Sequence, residues 1–208
     1  MAEVLLLPNK SLNDFNANID EIMRNGMMLT EFDEIVSAVG KFLEGRRQDL
    51  DLLSEIRKRV QALFENKEGL RQKYNFVVEL GKVIDLGNDV REKILTKARE
   101  WLAGQKGQEI TEIQIHTYRT AMHAMVEFES SDEGRLSDLD LLMRIAVDMN
   151  KGISVRSNAI LEMGRLGKRM RDSEERKKIV GRLLNEITEK NDLITMSLIE
   201  AISNLQSK

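Results

Sequence analysis

Gly87-Asn88-Asp89-Val90-Arg91-Glu92-Lys93-Ile94-Leu95-Thr96-Lys97-Ala98-Arg99-Glu100-Trp101-Leu102-Ala103-Gly104 is the stretch that decides the fold. Val90, Ile94, Leu95, Ala98, Trp101 and Leu102 recur at the three- and four-residue spacing that gathers side chains on one face of an α-helix. Asn88 stands where an N-cap belongs, and glycine punctuates both ends.

The same grammar extends in both directions. Upstream, the spacing predicts helices from about Asn9 or Ser11 to Gly26 and from Thr30 to Gly45. Two more run from Leu50 to about Asn66 and from Leu70 to Ile84. Downstream, it predicts Thr111 to Phe128, then helices capped by Ser137 and Ser154, and a last long segment from Asp172 or Ser173. Ser130-Ser131-Asp132-Glu133-Gly134 reads as loop. No segment alternates with period two. The expected fold is all-α: an antiparallel multi-helix bundle or helical array of about eight to ten amphipathic helices without a β-sheet. Gly104-Gln105-Lys106-Gly107 reads as a link between residues 1–104 and 108–208, two helical halves or one continuous domain.

Composition agrees. The 208 residues are 41% hydrophobic and 32% charged, with 4% aromatics and one proline, Pro8, outside the predicted helices. That is a folded, helix-favouring chain. Its net charge of −3 gives no global pull toward nucleic acid or acidic membrane. Cysteine is absent, which excludes disulfides, thiol nucleophiles and Cys-ligated metals and fits a reducing compartment. Val4-Leu5-Leu6-Leu7 is too short for a signal or membrane segment, so the expected location is the cytoplasm.

Val39-Gly40-Lys41-Phe42-Leu43-Glu44 echoes Leu80-Gly81-Lys82-Val83-Ile84-Asp85, near the length of a two-helix solenoid repeat. A third echo at Val180-Gly181-Arg182 breaks the period, and coincidence is the preferred reading.

Three constellations carry candidate function. Glu112, His116, His123 and Glu127 share one helix face as two i,i+4 pairs, a spacing that suits metal ligands. The histidines lie seven positions apart, about 10 Å along the axis, so one ion cannot bridge them. A solvated polar face is preferred, with neither metal nor cofactor expected. Arg165, Lys168, Arg169, Arg171, Arg176, Lys177, Lys178 and Arg182 form a basic segment suited to phosphates or an acidic partner. Helix-end electrostatics explains most of it, and no aromatic is interleaved to stack on bases. Leu184, Ile187, Asn191, Ile194, Leu198 and Leu205 follow a heptad-like spacing that predicts either a homodimer seam or a separate last helix capped by Asn191.

No P-loop, nucleophile elbow, zinc-protease or dinucleotide motif occurs, so no enzyme is expected. The expectation is a cytoplasmic helical interaction module (adaptor, scaffold or regulator) with a protein partner. A nucleic-acid-associated factor using residues 165–182 ranks second, and a helical-bundle metalloprotein third.

Overall fold

The computed structural model describes Ala17, Asp20, Gly40, Lys41 and residues 49–65, 69–105 and 112–207. The helices expected before Gly45 lie outside these residues, apart from those isolated positions. Among the described residues there are eight α-helices and no strand: α1 Leu50–Leu63, α2 Leu70–Val83, α3 Asn88–Gly104, α4 Glu112–Phe128, α5 Asp132–Val147, α6 Ile153–Lys168, α7 Ser173–Glu186 and α8 Asp192–Gln206. The fold is all-α, and no helix among these residues is long and apolar enough to cross a membrane. The chain divides into two compact units, Met1–Ile94 and Leu95–Lys208, with the division inside α3.

In the first unit, Asp49 caps α1, its carboxylate accepting the Leu52 N–H at 3.0 Å. Leu53, Ile56, Val60 and Leu63 then form the buried stripe. Gly69 opens α2 at φ 60, a left-handed conformation, and the Tyr74 ring meets Phe64 at 5.4 Å. After α2, Arg57 donates from Nη2 to the Asp85 carbonyl at 2.8 Å, and Asp85 Oδ1 accepts the Gly87 N–H at 3.0 Å. Gly87 sits at φ 77, and a Cβ there would lie 3.3 Å from Arg57 Nε. Gly87→Ala is therefore expected to destabilise this unit by about 1–2 kcal/mol, measured by chemical denaturation.

The second unit has α6 at its centre, packed against α4, α5, α7 and α8. Burial on nearly every side requires small residues, and α6 supplies Ser157, Ala159, Gly164 and Gly167. Ser157 Oγ and Ser197 Oγ share a 2.6 Å hydrogen bond. Gly164 lies against Ala201, and Gly167 against Leu205. These rungs rise together along both helices, so α6 and α8 are parallel. Arg169 reaches the Val126 carbonyl at 2.5 Å and His123 faces Glu162, which makes α4 and α6 parallel too.

The intervening helices run the other way. Arg156, near the start of α6, donates to the Ala146 carbonyl at the end of α5 at 2.8 Å, and Arg176 at the start of α7 reaches the Ser207 carbonyl after α8 at 3.3 Å. One layer holds α4, α6 and α8. The other holds α5 and α7 with the Leu95–Gly104 part of α3 beside them.

The ties between successive members of a layer span a nearly constant stretch of sequence. Asp138 and Arg99 are 39 residues apart, Ser157 and Ser197 40, Glu127 and Arg169 42, and Asp140 and Arg182 42. This is the geometry of stacked helix pairs, whose repeats run to about 40–47 residues. It fits the array form of the expected bundle or helical array. The short Gly-Lys echo does not carry it, because Gly81 falls near the end of α2 while Gly181 falls inside α7 with nothing within 4 Å of a Cβ.

Boundaries differ from expectation at the starts of α5 and α6. α5 starts at Asp132 rather than after Ser137, so the segment read as loop is helical from Asp132. Ser131 is the cap: its Oγ accepts the Gly134 N–H at 3.0 Å, and the Glu129 carboxylate accepts the Ser131 N–H and O–H at 2.7 and 2.8 Å. Gly134 leaves room for that carboxylate, which a Cβ would strike. α6 starts at Ile153, with Gly152 rather than Ser154 at its N-cap position, while the last segment is two helices, the Asn191-capped alternative.

Candidate functional site

The metal candidates do not converge. Glu112 opens α4, but its side chain lies outside the described set. His116 is half-buried. His123 Nδ1 lies 3.5 Å from Glu162 Oε1, an oxygen that also accepts from Arg165 Nη1 at 2.7 Å. Glu127 turns to Arg169 instead, with the ion pair at 2.7 Å. The His123/Glu127 pair is thus split, His123 facing the Glu162 carboxylate on α6 and Glu127 the Arg169 guanidinium just after it. Among the described residues no group of three or more histidines and carboxylates gathers to hold an ion.

The basic segment is largely committed to neighbours. Lys177 pairs with Glu174 at 2.7 Å, Lys178 with Glu175 at 2.5 Å, and Arg182 with both Asp140 at 2.6 Å and Glu186 at 2.9 Å. Arg165 and Arg169 hold Glu162 and Glu127, and Arg176 holds the Ser207 carbonyl. Lys168 and Arg171 are exposed without an ion pair among the described residues. Asp172 caps α7, accepting the Glu174 N–H at 2.8 Å, which matches the helix-end explanation.

The heptad seam does not exist as one continuous helix. α7 ends at Glu186, and Asn191 Oδ1 accepts the N–H groups of Leu193 and Ile194 at 3.0 and 3.5 Å. Asn191 is an N-cap because its amide satisfies two donors that a helix start leaves without partners. Ile187, Ile194 and Leu205 are buried in the chain's own core, Leu198 is half-buried, and Leu184 is exposed. A different face of α8 is left outward, carrying Leu193, Met196 and Ile199.

Two features escaped the sequence reading. The first is a buried ion cluster. Arg99 on α3 makes a paired contact with Asp138 on α5, Nε–Oδ1 2.7 Å and Nη2–Oδ2 2.9 Å, and meets Glu129 at 2.5 Å. Burial pushes the Asp138 carboxyl above its ordinary value despite Arg99. Burial also pushes Glu129 upward, but the Ser131 donors and Arg99 outweigh it and hold that carboxyl below its usual range.

The second is a pair of grooves on the α3/α5/α7 layer. One, about 510 Å³, lies between the end of α3 and α5, with Leu102, Leu141 and Ile145 in its wall. The other, about 480 Å³, lies between α5 and α7. Arg144 and Val147 line both. Lys151 closes the first groove, only 5% exposed, its ammonium donating to the Gln105 carbonyl and lying 5.4 Å from the centre of the Tyr118 ring. Tyr118 in turn meets Trp101 edge-on at 4.9 Å. In sequence, Arg144 was a lone cation in an apolar run and Lys151 a loop lysine. Nothing in their spacing joins them.

No family model matches this chain. No similar protein was found among curated proteins or solved structures either.

Proposed function

We propose that the chain is a non-enzymatic protein–protein interaction module, an adaptor, scaffold or regulator working in the cytoplasm. The carrying observation is the stack of helix pairs with its tie every 39 to 42 residues. Stacked helix pairs bury a continuous core between layers and leave long helix faces and inter-helix grooves on the outside, which suits capture of another chain. The side-chain chemistry supports the same reading. Among the described residues Glu127 and Glu162 are tied to Arg169 and Arg165, and the acids lining the second groove, Asp140 and Glu186, are paired with Arg182. The nucleic-acid reading loses weight because most cations of residues 165–182 already face carboxylates.

The test is affinity purification of the full chain from its native cells after nuclease treatment, with absorbance recorded at two wavelengths. A protein partner recovered in fixed stoichiometry is the expected result. Recovery of the chain alone, or of a salt-removable nucleic acid in place of protein, would overturn the reading.

A further inference from the structure

We propose that the two grooves flanking Arg144 and Val147 dock a partner's peptide segment in which an acidic residue stands among aliphatic ones. The proposal rests on the interaction-module reading and names the surface and the chemistry that the module uses.

Charge selects the acidic residue. Arg144 is exposed, donates from Nε to the Asp140 carbonyl at 3.3 Å, and makes no ion pair among the described residues. Lys151 is buried and likewise has no carboxylate partner there, only a carbonyl and a ring face. A buried ammonium without counter-charge is costly, and an incoming carboxylate relieves it. The acids already present are otherwise engaged. Asp148 Oδ1 accepts the Asn150 N–H and side-chain amide, both at 3.0 Å, while Asp140 and Glu186 are held by Arg182. The groove between α3 and α5 therefore offers two cations against one self-capped acid.

The walls select the aliphatic residues. Leu102, Ala103, Leu141, Ile145 and Val147 line the first groove, and Met143 and Val147 the second. Neither groove has an aromatic lining residue on which a base would stack. Either volume alone suits a small ligand. Two grooves that share Arg144 and Val147 instead suit an elongated occupant, an extended segment dropping successive side chains on either side of one ridge.

The experiment is selection of a random-peptide display library on the full chain, then fluorescence anisotropy with a labelled peptide from the selected pool. Selected peptides are expected to carry Asp or Glu beside Leu, Ile or Met. Arg144→Glu should weaken binding about tenfold or more by replacing attraction with repulsion. Ala103→Phe, at an exposed position on the last turn of α3, should weaken it similarly by filling the first groove. Arg171→Glu, an exposed cation outside both grooves, should leave it unchanged, and an unaltered Trp101 emission spectrum would certify each variant's fold. No enrichment, a consensus without acids, or binding indifferent to both groove variants would overturn the proposal. The same variants separate it from the broader reading. A native partner recovered equally by wild type and Arg144→Glu sinks the groove and leaves the module standing. Failure of the wild type to recover any partner sinks the module.

Discussion

Gly164→Val is expected to destabilise the second unit by about 3 kcal/mol, toward the upper end of the range for overpacked cores. Melting should begin about 10 °C or more below wild type. The reason is the α6/α8 crossing. A Cβ on Gly164 would lie 2.5 Å from the Ala201 Cα, 2.9 Å from its Cβ and 3.0 Å from its carbonyl oxygen. Two of these atoms are main chain, so no rotamer change relieves the clash and the helices must separate. Gly164→Ala meets the same obstruction and recovers only about 1 kcal/mol of helix propensity. Ala201→Gly in the same chain removes one contact of the three and should rescue less than half of the loss. Gly181→Ala is the control. It makes the same exchange inside α7 where nothing lies within 4 Å, and should stabilise by about 0.5–1 kcal/mol. Urea unfolding followed by Trp101, the chain's single tryptophan, reads all four variants. Equal effects at Gly164 and Gly181 would mean that helix propensity, not close approach, sets the role of these glycines.

That contrast marks what a sequence can and cannot convey. The apolar stripes of α1 to α4 were legible because each records its own helix's buried face, and the caps Asp172 and Asn191 because a cap bonds to its immediate neighbours. α5 was misplaced at its start, since the Glu129 carboxylate that organises Ser131 belongs to the preceding turn and needs Gly134 to make room. The nearly all-round burial of α6 was hidden because small and polar residues, Ser157, Gly164 and Glu162 among them, take up the positions that a one-sided helix gives to solvent. Nor could the period near 40 be read from letters, because its rungs repeat no motif: Arg99–Asp138 puts the arginine first, Glu127–Arg169 and Asp140–Arg182 put it second, and the fourth rung is Ser157–Ser197. Function was least legible for the same reason. Arg144 and Lys151 line one groove formed by elements that share no motif.

The second large effect is expected from Arg99→Met, which should cost about 2–4 kcal/mol, a little below the range for fully buried pairs because the Arg99 side chain is 30% exposed. Methionine keeps much of the aliphatic volume, so the loss is electrostatic. It leaves Asp138, 1% exposed, and Glu129, 6% exposed, as neighbouring buried carboxylates without their cation. Asp138→Asn should cost much less, because the amide carries no charge to strand and Arg99 keeps Glu129. The pH dependence distinguishes the two acids. Glu129 is held below its ordinary value, so its stabilisation is full above the unfolded value of about 4.3 and fades as pH falls through the lower folded value. Asp138 is held above its ordinary value by burial, so the folded state takes up its proton first and this group gains relative stability as pH falls below its folded value, until the unfolded carboxyl near about 3.9 is protonated too. In wild type the two trends oppose, and acid should erode the cluster slowly. In Glu129→Gln only the Asp138 trend remains, so the stability of this variant relative to wild type should improve as pH falls from neutral to about 4. In Asp138→Asn only the Glu129 trend remains, and stability should fall faster than in wild type over the same range. Denaturation midpoints across that pH series decide it: parallel curves for all three chains would show that Arg99 does not divide its two carboxylates in this way.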